Sequence, residues 1–241
     1  MVPQNTIQDC KTPAGPKIQL AVFDFDGTSI SGNSPVLLVR YLMKRKMLGK
    51  RVIAKIISWA FAYKFRLPQN ETWVRGLVFS AFEGKPKAEV DAFLKSFYDI
   101  CIEPRFRMDA EAAMKAHEAE GHVVLVISAT FEPIVERAME FHPFHHQIST
   151  RMGVDAQNNY TREVEGKPIE GLQKLCAIKE YADKTYGEQG WELAYAYGDH
   201  HSDIPLLSAA THSYAVSPDR PLERCAKRNE WEILDWEKSE F

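Results

Sequence analysis

Two carboxylates one residue apart, Asp24 and Asp26, close the apolar run Leu20-Ala21-Val22-Phe23 and lead into Gly27 and Thr28. In a strand, alternate side chains point the same way, so both acids are expected to start on one side. Like charges held that close raise each other's pKa. The pair makes sense with a divalent cation or a shared proton between the acids, or with a different task for each. Two later apolar runs also end in polar clusters: Ser128-Ala129-Thr130, and Gly198-Asp199-His200-His201-Ser202-Asp203. Lys174 falls on the helix expected to lead into the second of these.

These parts suit phosphoryl transfer. A phosphate monoester needs an in-line nucleophile, donors for its equatorial oxygens, a cation to neutralise charge and an acid for the leaving oxygen. Asp24 can attack to give an aspartyl-phosphate. Asp26 can protonate the leaving group and then activate water. A hard Mg²⁺ suits Asp24, Asp199 and the backbone carbonyl of Asp26. The Ser128 hydroxyl, with backbone N–H groups such as that of Ala129 at a coming helix start, can hold phosphate. Lys174 supplies a fixed positive charge, and a lysine in the first turns of a helix opposes the macrodipole. Its rival Lys167 precedes Pro168, which biases it toward an extended loop.

Each cluster has a plainer reading. Ser128 can simply cap the next helix, and Asp203, before Ile204 and Pro205, can do the same with proline in the first turn. Four polar clusters at the expected points of one sheet are hard to explain by capping alone.

The elements that must position these residues follow from periodicity. Strands are expected over residues 18–23, 122–127, 147–151, 192–197 and 213–216, with a hairpin over 154–164 turning at Asn158-Asn159. Helices are expected over 35–47, 50–65, 71–82, 87–100, 108–120, 131–141, 169–186, 205–210 and 221–228. Beyond residue 105 strands and helices alternate, which predicts a parallel sheet with right-handed crossovers and helices on both faces. In such sheets ligands gather at the carboxyl ends of the strands, where the polar clusters fall. The all-helical stretch between the first two core strands reads as an insert.

The ordered set Asp24-x-Asp26-Gly27-Thr28, Ser128, Lys174 and Gly198-Asp199-x-x-x-Asp203 resembles the four motifs of the haloacid dehalogenase superfamily, in its phosphoserine-phosphatase-like subgroup (subfamily IB). Residues 215–222 and 231–234 are similar to the subgroup's closing segment. The resemblance implies an α/β Rossmann-like core over residues 18–30 and 105–241. It also implies a helical type-1 cap over 31–104, preceded by a flexible tail over 1–17. It implies Asp24 as nucleophile, Asp26 as acid/base, Asp24, Asp26, Asp199 and Asp203 around Mg²⁺, and Ser128, Ala129 and Lys174 for phosphate. The expected activity is that of a Mg²⁺-dependent phosphomonoester hydrolase. A phosphomutase or phosphotransferase would share the intermediate, and a non-catalytic phosphate-binding relative would have no need of Asp26. A dehalogenase is disfavoured, because its reaction has no leaving oxygen for Asp26 to protonate. The chain departs from the pattern at Ser29, usually aliphatic, and at His200-His201, usually small or polar.

The 241 residues carry a net charge of −3, which implies no nucleic-acid partner. The four cysteines lie far apart, as expected of reduced thiols in a cytoplasmic protein. Residues 1–17 lack the apolar stretch of a signal peptide, and no apolar run approaches a membrane span. Residues 31–70 hold nine basic residues and no acid, leaving 21 basic against 33 acidic residues elsewhere. A phosphoserine ammonium would call for a carboxylate there, so the expected substrate is a small, more anionic or partly apolar, lipid-like phosphate. The basic residues interleave with the apolar run 52–63. That pattern reads either as a solvated basic face on a packed helix or as a helix resting on an anionic membrane surface. His142, His145 and His146 lack a Cys or acidic partner at ligand spacing and are expected in a loop at a helix end. Trp59 and Trp73 are expected in the core.

Overall fold

The computed structural model describes residues 17–64 and 76–236. Residues 1–16 of the expected tail, Trp73, Arg66 and the expected start of the third insert helix lie outside the described residues. The elements in order are β1 (Ile18–Asp24), α1 (Ser34–Lys44), α2 (Lys50–Lys64), α3 (Lys87–Phe97), α4 (Met108–Ala119), β2 (Val123–Phe131), α5 (Glu132–Met139), β3 (His146–Thr150), β4 (Met152–Val154), β5 (Tyr160–Val164), α6 (Leu172–Tyr186), β6 (Trp191–Gly198), α7 (Ile204–Leu207), β7 (His212–Val216), α8 (Arg220–Asn229) and β8 (Glu232–Leu234).

Six strands form one parallel sheet in the order β3-β2-β1-β6-β7-β8. Alternation along β1 feeds two cores. Ala21, Phe23 and Phe25 face one side with Met114 of α4, Ile134 and Val135 of α5 and the insert residues Leu38, Leu42, Phe79 and Phe97. Leu20 and Val22 face the other, with Ile178 of α6, Leu206 of α7 and Leu222 of α8. Helices thus cover both faces, as a sheet of continuous apolar strands requires. The result is the Rossmann-like α/β architecture, with helices α1–α3 inserted between β1 and β2. The strand order reverses between β1 and β6, and a crevice at the carboxyl ends opens at such a switch point.

The chain leaves β1 and returns to the sheet at one place. Ile30 bridges Phe106, Ser31 N donates to Arg105 O (2.8 Å) and Arg107 N to Ser29 O (2.9 Å). These bonds pin both ends of the helical insert beside the first acid pair.

Several boundaries differ from expectation for local reasons. α3 ends at Phe97 and passes into a π-helical turn at Tyr98–Ile102. Strand β2 runs on to Phe131, so Ser128, Ala129 and Thr130 lie within the strand rather than beyond its end. Strand β8 spans three residues at the sheet edge, too short to show periodicity. The hairpin is formed by β4 and β5, pairing from Met152 onward. His142 and His145 lie in the loop after α5, as expected, and His142 is buried there, stacked on Phe106, with Nε2 2.8 Å from Tyr98 Oη and 3.0 Å from Glu103. His146 opens β3. Among the described residues, no helix is long and apolar enough to cross a membrane.

Candidate active site

β1 ends at Asp24, and the period-two rule ends with it. Gly27, at φ +77°, turns the chain, and a Cβ there would lie 2.0 Å from Asp199 Oδ2. Only glycine lets the backbone after β1 approach the acid after β6 this closely. Gly198 does the same within its own turn, where a Cβ would come 2.8 Å from Asp203 Cβ. The glycines of both motifs therefore bring acids together from strands that are neighbours in space and far apart in sequence.

The two opening carboxylates have separate surroundings. Asp24 is buried, and Lys174 Nζ donates to its Oδ1 (2.5 Å) and to Asp203 Oδ1 (2.6 Å). Lys174 lies in the first turn of α6 and is itself buried. Asp26 instead accepts from Ser34 N (2.5 Å), Ser34 Oγ (3.1 Å) and Thr130 Oγ1 (2.7 Å). The Ser34 and Thr130 hydroxyls also meet each other, so their two protons are shared among three contacts. One acid sits against a cation, the other in a cradle of neutral donors.

Burial raises the Asp24 pKa well above the carboxylate range, with Lys174 opposing and Asp203 and Asp199 adding to the rise. Asp26 is raised chiefly by burial, against its three hydrogen bonds. Asp199 is pushed up to about 7 by burial and by the Asp203 charge. Burial alone would lower Lys174, but Asp24 and Asp203 outweigh it and the net shift is upward. A titratable group raised toward neutrality beside a fixed cation is an arrangement typical of functional sites.

Asp24, Asp199 and Asp203 bring one carboxylate oxygen each within 4.8 Å of one another. Two of the three carboxylates bond Lys174, and the donor set is all oxygen, as a hard divalent cation such as Mg²⁺ requires. The Asp26 carboxylate is not in this group, because Ser34 and Thr130 hold it.

The sequence-predicted residues mostly converge. Asp24, Lys174, Asp199 and Asp203 meet, whereas Lys167 is exposed. Of the two capping readings, that of Ser128 does not hold, and that of Asp203 holds in position alone, since Asp203 stands at the N-cap of α7 with Pro205 in the first turn. Ser128 is fully buried on β2, where its Oγ accepts from Thr130 N (3.0 Å), and α5 is preceded by Phe131. The Asp203 side chain makes no capping bond to α7, turning instead to Lys174 and to His200 N (3.4 Å). Ala129 follows Ser128, half-buried. Ser29 departs from the aliphatic pattern because its hydroxyl donates to Asp24 O (2.6 Å) from a buried position. Thr28 Oγ1 lies 3.4 Å from Asp199 Oδ1. The side chains of His200 and His201 turn toward Asp219, away from the acid cluster.

Three residues at the site escaped sequence reasoning. Ser34 was hidden in the start of α1, although the Asn33-Ser34-Pro35 cap pattern fixes that start. Thr130 stood in a polar cluster whose serine drew the attention. Arg107, buried, donates to Gly27 O (3.2 Å) and Trp236 O (3.0 Å), and no sequence signal marks it.

A family model described as haloacid dehalogenase-like hydrolase matches residues 21–208. A histidinol-phosphatase of Neisseria meningitidis serogroup C (strain 8013) is 26% identical over 223 residues, covering 90% of this chain and 98% of that protein. The phosphoserine phosphatase SerB1 of Mycobacterium tuberculosis (strain ATCC 25618 / H37Rv) is 25% identical, covering 90% of this chain and 70% of its own. In fold, the chain superposes on a protein of unknown function from Bordetella pertussis Tohama I with a TM-score of 0.81. That match has 21% identity and covers 91% and 99% of the two chains.

Proposed function

This chain belongs to the haloacid dehalogenase-like hydrolases, and from that premise we propose that it is a Mg²⁺-dependent phosphomonoester hydrolase working through an aspartyl-phosphate on Asp24. Phosphatase activity is in keeping with the relatives named histidinol-phosphatase and phosphoserine phosphatase. The observation that carries the mechanism is the separation of the two acids: Asp24 beside Lys174, and Asp26 beside Ser34 and Thr130.

Asp24 Oδ attacks phosphorus as the ester oxygen leaves. Lys174 holds the carboxylate in place and offers positive charge to the phosphoryl oxygens. Ser128 and the Ala129 backbone are assigned to the same oxygens. Asp26 gives its proton to the leaving oxygen, and burial suits it to this by raising its pKa. It then takes a proton from the water that attacks the phosphoaspartate, which restores both acids and releases phosphate. Asp24, Asp199 and Asp203, with the Asp26 carbonyl, would hold Mg²⁺, which would neutralise charge on the transferring group.

The domain division follows the same reading, with residues 18–30 and 105–241 as the catalytic core and 31–104 as a cap. Seven described basic residues of the insert, Arg40, Lys44, Arg45, Lys46, Lys50, Arg51 and Lys55, are all exposed. Val36, Met43 and Ile57 are exposed among them, at 47%, 38% and 48%. This supports a small anionic or partly apolar phosphate as substrate, and contact of α1 and α2 with an anionic membrane surface.

A panel of soluble and lipid phosphomonoesters with Mg²⁺, run on the wild type and Asp24→Asn, tests the proposal. Phosphate released to water excludes a mutase, while activity surviving in Asp24→Asn refutes the covalent route. Phosphoserine is expected to turn over no faster than simple monoesters, and preferred turnover of it would overturn the substrate assignment.

A further inference from the structure

Between the acids Asp199 and Asp203 lie two histidines that the reaction above does not use. Their side chains converge on Asp219, at the start of α8. His201 Nδ1 is 2.8 Å and His200 Nε2 3.6 Å from the same oxygen, Asp219 Oδ2, and the two rings stand 4.0 Å apart. Two imidazole nitrogens and one carboxylate oxygen thus sit within 4.8 Å of one another, as a second ligand set beside the all-oxygen cluster.

The spacing fits a four-coordinate ion. Bonds of about 2.0–2.2 Å in a tetrahedron place neighbouring ligand atoms about 3.3 Å apart, and the two distances to Asp219 bracket that value. The remaining polar atoms of the set are engaged in ways that aim it. Asp219 Oδ1 accepts from Leu222 N (2.8 Å), capping α8 and leaving Oδ2 to point at the histidines. His200 Nδ1 lies 3.0 Å from Ser202 Oγ and 3.4 Å from Ser202 N, which clamps that end of the ring. A proton on Nδ1, donated to Ser202 Oγ in place of the long 3.4 Å bond that Nδ1 otherwise accepts from Ser202 N, leaves the Nε2 lone pair free for an ion. Metal-binding histidines are commonly oriented this way by a partner on the far nitrogen.

We propose that His200, His201 and Asp219 form a second metal site, for a borderline divalent cation of the Zn²⁺ type, distinct from the Mg²⁺ cluster of Asp24, Asp199 and Asp203. Imidazole ligands select Zn²⁺ over Mg²⁺, which prefers oxygen, so the Asp199–Asp203 segment sorts two metals by ligand chemistry. The site lies at the surface, with His201 exposed, leaving a fourth position open to water or an exchangeable ligand. It is also joined to the reaction centre by one backbone bond, from Asp219 N to Asp199 O (2.9 Å). An ion here braces the turn after β6 against the start of α8.

The test is binding, so it does not depend on the phosphatase reading. The full chain, stripped of metal and kept in excess Mg²⁺, is titrated with Zn²⁺ by calorimetry and with Co²⁺ as a spectroscopic stand-in. One Zn²⁺ per chain is expected, with tetrahedral Co²⁺ absorption and a raised melting temperature. His200→Ala and His201→Ala, both at partly exposed positions, should each weaken binding about ten-fold or more, whereas Asp203→Asn should bind Zn²⁺ as the wild type does. Unchanged binding in the histidine variants, displacement of Zn²⁺ by Mg²⁺, or loss of binding in Asp203→Asn would each overturn the site.

Discussion

The charges of this protein obey two different rules in two regions that adjoin. At the carboxyl end of the sheet, Asp24, Asp203 and Lys174 are buried and bonded in a chain. Along α1, α2 and the turn between them, seven basic residues stand exposed, with no acid in the same stretch of sequence. Burying a charge is costly unless it is paired, so the first group is held only by its exact partners. Exposed charges are screened by water and salt and contribute little to stability. The first region is built for chemistry at the expense of folding energy. The second is nearly neutral for folding and is free to choose what it meets.

The largest effects should fall on the buried side. Asp24→Asn removes the proposed nucleophile and should lower the rate of phosphate release by at least about 10⁴-fold with the fold intact by circular dichroism. Asp26→Asn removes the proposed proton donor and should cost about 10²–10⁴-fold. If the two variants behaved alike on a substrate whose leaving group needs no proton, the division of roles between the acids would be lost.

Lys174→Met leaves buried carboxylates without their counter-charge. Urea unfolding should show a loss of about 3–5 kcal/mol, where Lys55→Met on exposed α2 changes stability by less than about 0.5 kcal/mol. Equal losses would erase the contrast between the regions.

His117 tests whether burial by itself sets the rule. It is buried in the core, its Nε2 lies 2.9 Å from Tyr197 Oη, and burial followed by the nearby His122 lowers its pKa to about 4. The unfolded chain then binds the proton more readily than the folded one. Stability from the neutral ring is complete above the ordinary value of 6.5 and is lost as pH falls from there toward 4, by up to about 3 kcal/mol. His117→Gln should flatten the stability profile in that window, as read by denaturant midpoints at successive pH values.

The smallest effect on folding belongs to the insert. Reversing Lys50, Arg51 and Lys55 to Glu should leave the unfolding midpoint nearly unchanged, yet abolish flotation with anionic vesicles. No flotation by the wild type would leave the basic face as merely solvated.

Much of this was legible in the residues. β1 is a continuous apolar run, and its alternation between two faces needs no knowledge of the rest. The polar ends of β1 and β6 identified Asp24, Asp199 and Asp203, and the order of elements implied that they meet. Ser34 and Thr130 were not legible as partners of Asp26, because nothing in local sequence says which hydroxyl, 8 or 104 residues away, will reach a given carboxylate. The buried Arg107 and the three-residue β8 left no periodic trace for the same reason. Capping was the reasonable local reading of Ser128 and Asp203, and β2 overrode the first by running four residues further than the apolar run, to Phe131.

By itself the sequence determined which polar residues stand at strand ends and that the charge of residues 31–70 has one sign. Those are properties of residue type and local period, which hold wherever the segment ends up. Only the tertiary structure decided that Asp24 would face Lys174 while Asp26 turned to neutral hydroxyls, and that two histidines would find Asp219. Such pairings depend on where β1 stops, how Gly27 turns and which strand lies alongside, and these are fixed by packing between segments far apart in the chain.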